Sequence, residues 1–478
     1  MKAASASVRP LPPGPRGVPL LGMLPALRRD PTAVFMGAAR RFGDVVYLKI
    51  GSRRGFLITN PADVRHVLQD NARSYHKSPL YDKLRMSLGN GLLTSEDDFW
   101  LRQRRIAQPA FHRQRIVALA SVMADAARET ADRWQSIAGR EEPTDVGEEM
   151  MQLTRTVVLR ALLGADLGPF ASTIDNAWTI INEHIGESFW SLGFTERLPT
   201  ARRRRFQAAR TVLRGAVDYV IDQRRRRPSE DRDLLSMLLS ARDEETGEAM
   251  TDEQARVEVT TFLLAGQETT SLALTWTWYL LSQHPESQRR LEQEIDAALD
   301  GRPPEYSDLE ALPYTRMVID EAMRLYPPAW GFSRQALSDD QLGGYHLPRG
   351  WLAFVIPYVL HRLPAFWKDP EAFDPDRFLS QVRVFAVRRR TATVHRKPLR
   401  SHRSAPDRCD TCAALSSSPR AATPGGAMGP NNASSAVRDA DDDRTSGAPS
   451  GTLTVAVSWW RQPISGHFSS LASSRPLN

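Results

Sequence analysis

Ala265-Gly266-Gln267-Glu268-Thr269-Thr270 lies at the middle of an amphipathic run over residues 253–283, and this run predicts one long helix. Gly266 and the β-branched pair Thr269-Thr270 are poor helix-interior residues, yet they cluster at the centre of the run. A threonine hydroxyl there can bond a carbonyl one turn back and distort the helical hydrogen bonding. The pattern therefore indicates a helix whose middle is specialised.

The small residues of this stretch leave room beside the helix. Ala265 and Gly266 present almost no side chain, so a flat cofactor could lie against them. Glu268 adds a titratable group next to that opening, which suits proton delivery to a ligand bound over a metal. An ordinary kinked core helix explains the same residues equally well, so this motif alone leaves both interpretations open.

A second motif, Glu321-x-x-Arg324, follows on the next helical segment. Residues three apart share a helix face and can form an ion pair, which by itself stabilises a protein little when exposed. Arg377, within the Pro-punctuated loop Phe373–Phe378, could complete a buried carboxylate–guanidinium cluster. Such a cluster would have a structural role, clamping the loop that should carry a metal ligand.

Three further side chains are candidate donors to an anionic group. Trp100 and Arg104 place an indole N–H and a guanidinium one helical turn apart, and both suit a buried carboxylate. Arg334 is a second guanidinium candidate. Plain packing or a surface ion pair accounts for any one of them alone.

The rest of the first 380 residues predicts a mostly helical fold with a small β-region. Helical runs cover residues 113–140, 150–163 and 200–227, and β-like runs cover residues 45–48 and 55–58. Residues 301–380 mix short helices with turns. The arginine run at residues 224–227 is interpreted as a solvated helix end rather than a binding patch.

The composition changes abruptly near Leu379. Residues 381–478 carry fourteen Lys and Arg against six Asp and Glu, a net charge of +8, which leaves −1 for residues 1–380 out of the total of +7. This segment contains no Glu and shows no sustained period, so we expect a disordered, low-complexity tail. A nucleic-acid binder acting through the basic tail is one alternative, disfavoured by the scattered charges and the acidic run Asp441–Asp443.

Cysteine usage and the N-terminal sequence indicate the cellular compartment of the protein. The only cysteines, Cys409 and Cys412, lie in the tail, where a lone CxxC motif does not favour a zinc or redox site. The apolar stretch Val18–Ala26 is broken by prolines and is far shorter than the ~20 residues that span a bilayer. We therefore expect a cytoplasmic protein with no membrane anchor.

Taken together and in order, the motifs make residues 10–380 resemble a cytochrome P-450 of the soluble bacterial type. The resemblance implies a b-type haem and insertion of one oxygen atom of O₂ into a small hydrophobic organic substrate, with electrons from a separate ferredoxin- or reductase-type partner. It also implies roles for single residues. These are proton delivery by Glu268 and Thr269, space for haem at Ala265, propionate binding by Trp100, Arg104 and Arg334, and bracing of the haem loop by Glu321, Arg324 and Arg377.

The chain departs from this family at the metal ligand. The family needs a loop of the form F-x-x-G-x-R-x-C-x-G, whose thiolate ligates iron. None is present in frame. The codons for Gln381 to Pro398 can be read in a frame shifted by one base, with every synonymous codon allowed. In that frame they permit the sequence R-F-A-Y-L-P-F-G-G-G-P-R-R-C-I-G-N. The cysteine codon would overlap Val394 and His395, and residues 399–405 permit F-A-L-I-E-A.

The sequence thus predicts an incomplete cytochrome P-450-like body over residues 1–380 and an out-of-frame tail over residues 381–478. We expect a monomer, without a metal ligand and without nucleic-acid binding, that is catalytically defective as written. A haem-free relic that acts only as a binding or interaction protein is the remaining alternative. Fatty acids, terpenoids and polyketides are all open as ancestral substrates.

Overall fold

The computed structural model describes residues 11–138, 143–164, 170, 173–188, 200–226 and 233–379. The expected disorder of residues 381–478, the frame-shifted codons at Val394 and His395, and Cys409 and Cys412 all lie outside these ranges. The predictions made for them therefore stay predictions.

Helices form most of the described chain. They are α1 Leu24–Arg29, α2 Pro31–Phe42, α3 Pro61–Arg65, α4 Tyr81–Leu88, α5 Asp97–Ala107, α6 Arg113–Ala118, α7 Ala120–Ile137, α8 Val146–Leu163, α9 Ile174–Ser188, α10 Ala201–Arg226, α11 Leu234–Ser240, α12 Asp252–Gln283, α13 Pro285–Leu299, α14 Pro313–Leu325 and α15 Pro357–Leu360. The long helical runs expected from the sequence are confirmed. Among the described residues, no helix is long and apolar enough to cross a membrane.

The small β-region is a five-stranded sheet and a separate hairpin. The strands are β1 Val45–Ile50, β2 Arg53–Ile58, β3 Tyr75–Lys77, β4 Phe332–Ala336, β5 Asp340–Leu342, β6 Tyr345–Leu347 and β7 Leu352–Val355. The sheet order is β1-β2-β7-β4-β3, and only the β2–β7 pair is parallel. The antiparallel β3–β4 register sets Lys77 opposite Arg334, so residues far apart in the sequence meet at one sheet edge.

Helix α12 runs through the largest hydrophobic cluster. Thr251 and Gln254 form a capping box at its start, which satisfies N–H groups that the first turn leaves free. Its buried face includes Ala255, Val259 and Leu263, packed with apolar residues of α9, α10 and α11. Helix α8 packs along its length. This packing fixes the direction of the faces that remain open.

The arginine run at the end of α10 is one correction to the sequence interpretation. Arg224 is not solvated: its side chain is 9% exposed, pairs with Asp233 and donates to the carbonyl of Leu163 at 2.9 Å. Arg225 pairs with Asp252 at the surface. The sequence interpretation rested on charge alone. The fold brings the carboxylate of Asp233 and the C-terminus of α8 to Arg224, the first residue of the run.

Candidate functional site

The middle of α12 is exposed on one side. Ala265 and Thr269 are exposed, although the helix is buried on its other faces. Phe262 lies one turn before Ala265, and its ring meets the ring of Phe111 at 5.2 Å between centroids, with an interplanar angle of 65°. We call Phe111, Phe262, Ala265 and Thr269 the open face. Its helical members recur at spacings of three and four, so they point the same way.

The threonine of the open face modifies the helix as the sequence suggested. The Thr269 hydroxyl donates to the Ala265 carbonyl at 2.6 Å, one turn back. Gly266 beside it is nearly unobstructed, because an added Cβ would meet only Val158 Cγ2, at 3.4 Å. Small side chains and an inward-bonded hydroxyl leave the helix surface flat at this level.

Glu268 lies next to the open face and is partly buried. Burial raises the pKa of its carboxyl above the ordinary value. Stronger retention of the proton suits a group that delivers protons rather than one that holds a permanent charge. The structure thus places a titratable group beside Thr269.

Glu321 and Arg324 of α14 form a fully buried ion pair. Both side chains are 0% exposed, and two parallel hydrogen bonds join them at 2.6 and 2.8 Å. The guanidinium also donates to the carbonyls of His361, Pro370 and Ala372 at 2.7–3.0 Å. The arginine therefore ties Glu321 of α14 to the segment that follows α15.

Arg377 completes this cluster from the following loop. Its Nε donates to Glu321 Oε1 at 3.1 Å, and the Asp374 N–H donates to the same oxygen at 2.9 Å. Its other nitrogens donate to the carbonyls of Lys368, Asp369 and Ala372. We call Glu321, Arg324 and Arg377 the clamp. It holds the chain in place up to Leu379, where the described residues end.

A second group of charges lies at the edge of the sheet and the start of α5. The guanidinium of Arg104 lies over the Trp100 ring at 5.5 Å, and Lys77 Nζ lies over the same ring at 5.6 Å. Arg334 faces Lys77 across the β3–β4 pair. The structure therefore brings together the three side chains expected to bind an anion, with Lys77 between them.

Two members of this group, Lys77 and Arg85, were not among the residues predicted from the sequence. Burial, with Arg334 and Arg85 close by and Glu96 opposing them, lowers the pKa of Lys77 to about 8. The buried Nε of Arg85 and the buried hydroxyl of Ser95 have no hydrogen-bond partner among the described residues. No sequence motif identified Lys77 and Arg85, because only the cross-strand register and the fold of the loop before α5 bring them to the site.

We call Lys77, Arg85, Trp100, Arg104 and Arg334 the anion cradle. Like charges gathered in a partly buried place raise the energy of one another, and an anion bound among them would relieve this repulsion. Unpartnered buried donors such as Arg85 Nε also require an acceptor. The arrangement can therefore bind carboxylates.

Comparison with known proteins agrees with this geometry. The sequence model of the cytochrome P-450 family matches residues 12–392. The chain belongs to the cytochrome P-450 family. Cyclooctatin synthase of Streptomyces melanosporofaciens is 40% identical over 77% of this chain and 80% of its own length, and cyclooctat-9-en-7-ol 5-monooxygenase of the same organism is 38% identical over 79% and 82%.

The fold is similar to that of a solved family member. The retinoic acid-bound cyanobacterial CYP120A1 superposes with a TM-score of 0.67 at 25% identity, over 78% of this chain and 82% of that one. The expected mostly helical cytochrome P-450 fold with a small β-region is thus confirmed. Haem b is the cofactor of this family.

The described residues fit haem in two of three respects. The flat open face suits an apolar ring, and the anion cradle, with the unpartnered Arg85 Nε, suits the carboxylates at the edge of the ring. The third requirement is an iron ligand. Residues 1–379 contain no cysteine, and no group of His, Asp and Glu among the described residues could hold a metal ion. The site therefore matches the porphyrin but not the thiolate-bound iron.

Proposed function

We propose that this chain derives from a monooxygenase that places one oxygen atom of O₂ on a largely hydrocarbon alkene or alkenol. The support is the match to the family over most of the chain, together with relatives whose names state such substrates. A third relative, pentalenene oxygenase of Streptomyces avermitilis, is 35% identical over 80% of this chain and 83% of its own length. In the complete enzyme, bound haem would supply the activation of O₂. With two electrons from a redox partner and two protons, one oxygen atom would enter the substrate and the other would leave as water.

The residues of the chain would support this chemistry in separate ways. Ala265 and Gly266 would leave room for the ring, and Trp100, Arg104 and Arg334 would hold its carboxylates, assisted by Lys77. Glu268, whose raised pKa keeps a proton available, would pass protons through the Thr269 hydroxyl. Glu321, Arg324 and Arg377 would brace the segment leading to the ligand loop.

We further propose that the chain as written is catalytically defective, because its first 379 residues supply no thiolate. The observation that carries this proposal is the contrast at Leu379. The clamp that should hold the ligand loop is complete, but no cysteine follows it at the spacing of the family. Cys409 lies thirty-two positions after Arg377 with no Phe-Gly-Gly-Gly or arginine pattern before it.

A deletion or a shift of reading frame between about Phe378 and Gln381 would explain the defect. One-base-shifted codons permit the whole ligand loop, with its cysteine at Val394 and His395, and a helix-like continuation after it. On this proposal, residues 1–380 are the incomplete body of the enzyme, and residues 381–478 are translated out of frame and have no function of their own.

Resequencing of the codons for Phe373 to Leu399 tests the frame, and expression tests the defect. Two proteins are compared after haem is added, the chain as written and a chain with the frame restored. We expect the thiolate-type absorption of reduced, carbon monoxide-bound haem from the restored chain only, and turnover of pentalenene or a related alkene by it. A thiolate-type spectrum from the chain as written would disprove the proposed defect.

A haem-free binding protein is the second candidate, because α12 packs with α9, α10 and α11 in a large cluster of buried apolar residues. On this alternative the chain as written would be soluble, would melt cooperatively and would ignore added haem. Aggregation is the outcome expected from the first proposal. The exposed apolar residues Phe111, Ile116 and Val117, each 37–45% exposed, favour it.

A further inference from the structure

A buried carboxylate lies on α12 four residues before Phe262, on the same side of the helix as the open face but covered by a loop. Glu258 is 1% exposed and faces the loop Gly89–Glu96, which connects α4 and α5. Its Oε2 accepts the N–H of Leu92 at 3.0 Å. This is a contact between the longest helix and a loop that no motif in the sequence identified.

The loop touches the helix with its backbone. Gly91 has no room for a side chain, because an added Cβ would lie 2.6 Å from Thr261 Oγ1 and 3.3 Å from Glu258 Oε2. Gly89 has φ +87°, and a Cβ there would lie 2.8 Å from Val257 Cγ2. The Leu92 N–H therefore reaches the carboxylate only while the loop is seated closely against α12.

The same loop holds two cations of the anion cradle. Lys77 Nζ donates to the Ser95 carbonyl and an Arg85 nitrogen donates to the Thr94 carbonyl, each at 2.5 Å. Within the loop, the Ser95 N–H donates to the Gly91 carbonyl at 2.8 Å. A shift of the loop on α12 would move both carbonyls and the cations bound to them.

The charges around Glu258 are few. Lys77 of β3 is the cation that acts on it, and Glu96 and Arg85 lie further along the same loop and on α4. Burial raises the pKa of Glu258 to about 7, against the Leu92 hydrogen bond and Lys77, which lower it. Lys77 itself has a pKa of about 8. Both groups therefore change charge near neutral pH.

We propose that Glu258 is a positioning residue that ties the loop Gly89–Glu96 to α12 through Leu92, and that uptake of a proton weakens this tie. An ionised acceptor forms a hydrogen bond roughly twice as strong as a neutral one. The positions of Lys77 and Arg85 in the anion cradle then depend on the protonation of a group outside the cradle. This inference does not rest on the proposed function, since it concerns contacts within the described body.

Hydrogen exchange of the Leu92 amide tests the proposal on the full chain. Exchange is measured at several values between pH 6 and pH 8 and corrected for the intrinsic rate at each pH. We expect protection of Leu92 to be roughly tenfold greater at pH 8 than at pH 6, the factor that corresponds to the loss of a charge-assisted bond. Corrected protection that stays constant over this range would overturn the proposal.

Variants distinguish a hydrogen bond that depends on the charge of Glu258 from a contact that is only structural. Glu258→Gln keeps an acceptor without a titrating charge, so the protection of Leu92 should become independent of pH at the low-pH level. Glu294→Gln is the matched control, because Glu294 also accepts backbone N–H groups, those of Tyr314 and Thr315, at 2.7 Å. It should leave the Leu92 profile unchanged.

A third variant covers the case in which Glu258→Gln does not fold. Lys77→Met removes the cation that favours the ionised carboxylate, so the midpoint of the Leu92 profile should move to higher pH. A pH profile retained in Glu258→Gln, or an unmoved midpoint in Lys77→Met, would show that another group sets the protection of Leu92.

Discussion

The clamp and the anion cradle are both clusters of cationic side chains, but their charges are balanced differently. In the clamp, a fully buried carboxylate and five backbone carbonyls, those of His361, Lys368, Asp369, Pro370 and Ala372, satisfy two guanidiniums. In the cradle, Lys77 pairs with Glu96 and Arg85 with Asp82, but further cations crowd Lys77 and the buried Arg85 Nε has no hydrogen-bond partner among the described residues. A cluster that satisfies itself stabilises the fold, whereas one that does not indicates a site for a ligand.

The largest effect is expected in the clamp. Arg324→Ala leaves Glu321 buried without its main partner, which should lower the free energy of unfolding by about 3–5 kcal/mol. Denaturant unfolding measures the change. The control is Arg160→Ala, which removes an exposed pair with Glu129 and should cost less than about 1 kcal/mol. Equal losses in the two variants would contradict the contrast.

Glycine substitutions compare the loop Gly89–Glu96 with the middle of α12. Gly91→Ala should destabilise the protein by about 1–3 kcal/mol, because its Cβ would meet Thr261 Oγ1 at 2.6 Å. Gly266→Ala should instead stabilise it by up to about 1 kcal/mol, since the Cβ meets only Val158 at 3.4 Å and alanine favours the helix. Thermal melting of both variants decides the signs. A loss at Gly266 would mean that the helix surface there is not open.

Lys77 gives the cradle a distinctive pH dependence. Its folded pKa of about 8 lies below its ordinary value of 10.5, so between these values the unfolded chain binds more protons. The free energy of unfolding should therefore rise with pH from about 8 to about 10.5. Below pH 8 the charged, buried lysine lowers the free energy of unfolding by a constant amount. Lys77→Met should remove this rise from a series of denaturant titrations. A rise of the same size in the variant would assign it to other groups.

The smallest effect is expected on the open face itself. Thr269→Val removes a hydroxyl that bonds the Ala265 carbonyl at an exposed position, so stability should change by less than about 0.5 kcal/mol. The same substitution in a frame-restored enzyme should impair proton delivery and slow turnover. Unchanged turnover would remove Thr269 from the proposed catalytic pair.

The clamp was largely predictable and the cradle only in part. Glu321 and Arg324 share a helix face by spacing alone, and Arg377 stands out in a loop punctuated by prolines. Trp100 and Arg104 likewise follow from one helical turn. Lys77 and Arg85 do not, because their place depends on the β3–β4 register and on a glycine-rich loop seated against α12.

The sequence by itself determined the family, the helical periodicity, the specialised middle of α12 and the lack of a cysteine at the family's spacing after the clamp. These are local patterns or spacings along one chain, and they do not depend on how distant segments meet. Only the tertiary structure decided which charges are satisfied. It buried Arg224 against Asp233, gathered the cradle around Lys77 and seated Leu92 on Glu258. The burial of a group and its hydrogen-bond or ion-pair partners depend on segments that are far apart in the sequence. Burial and partners in turn set the charge and the pKa of the group.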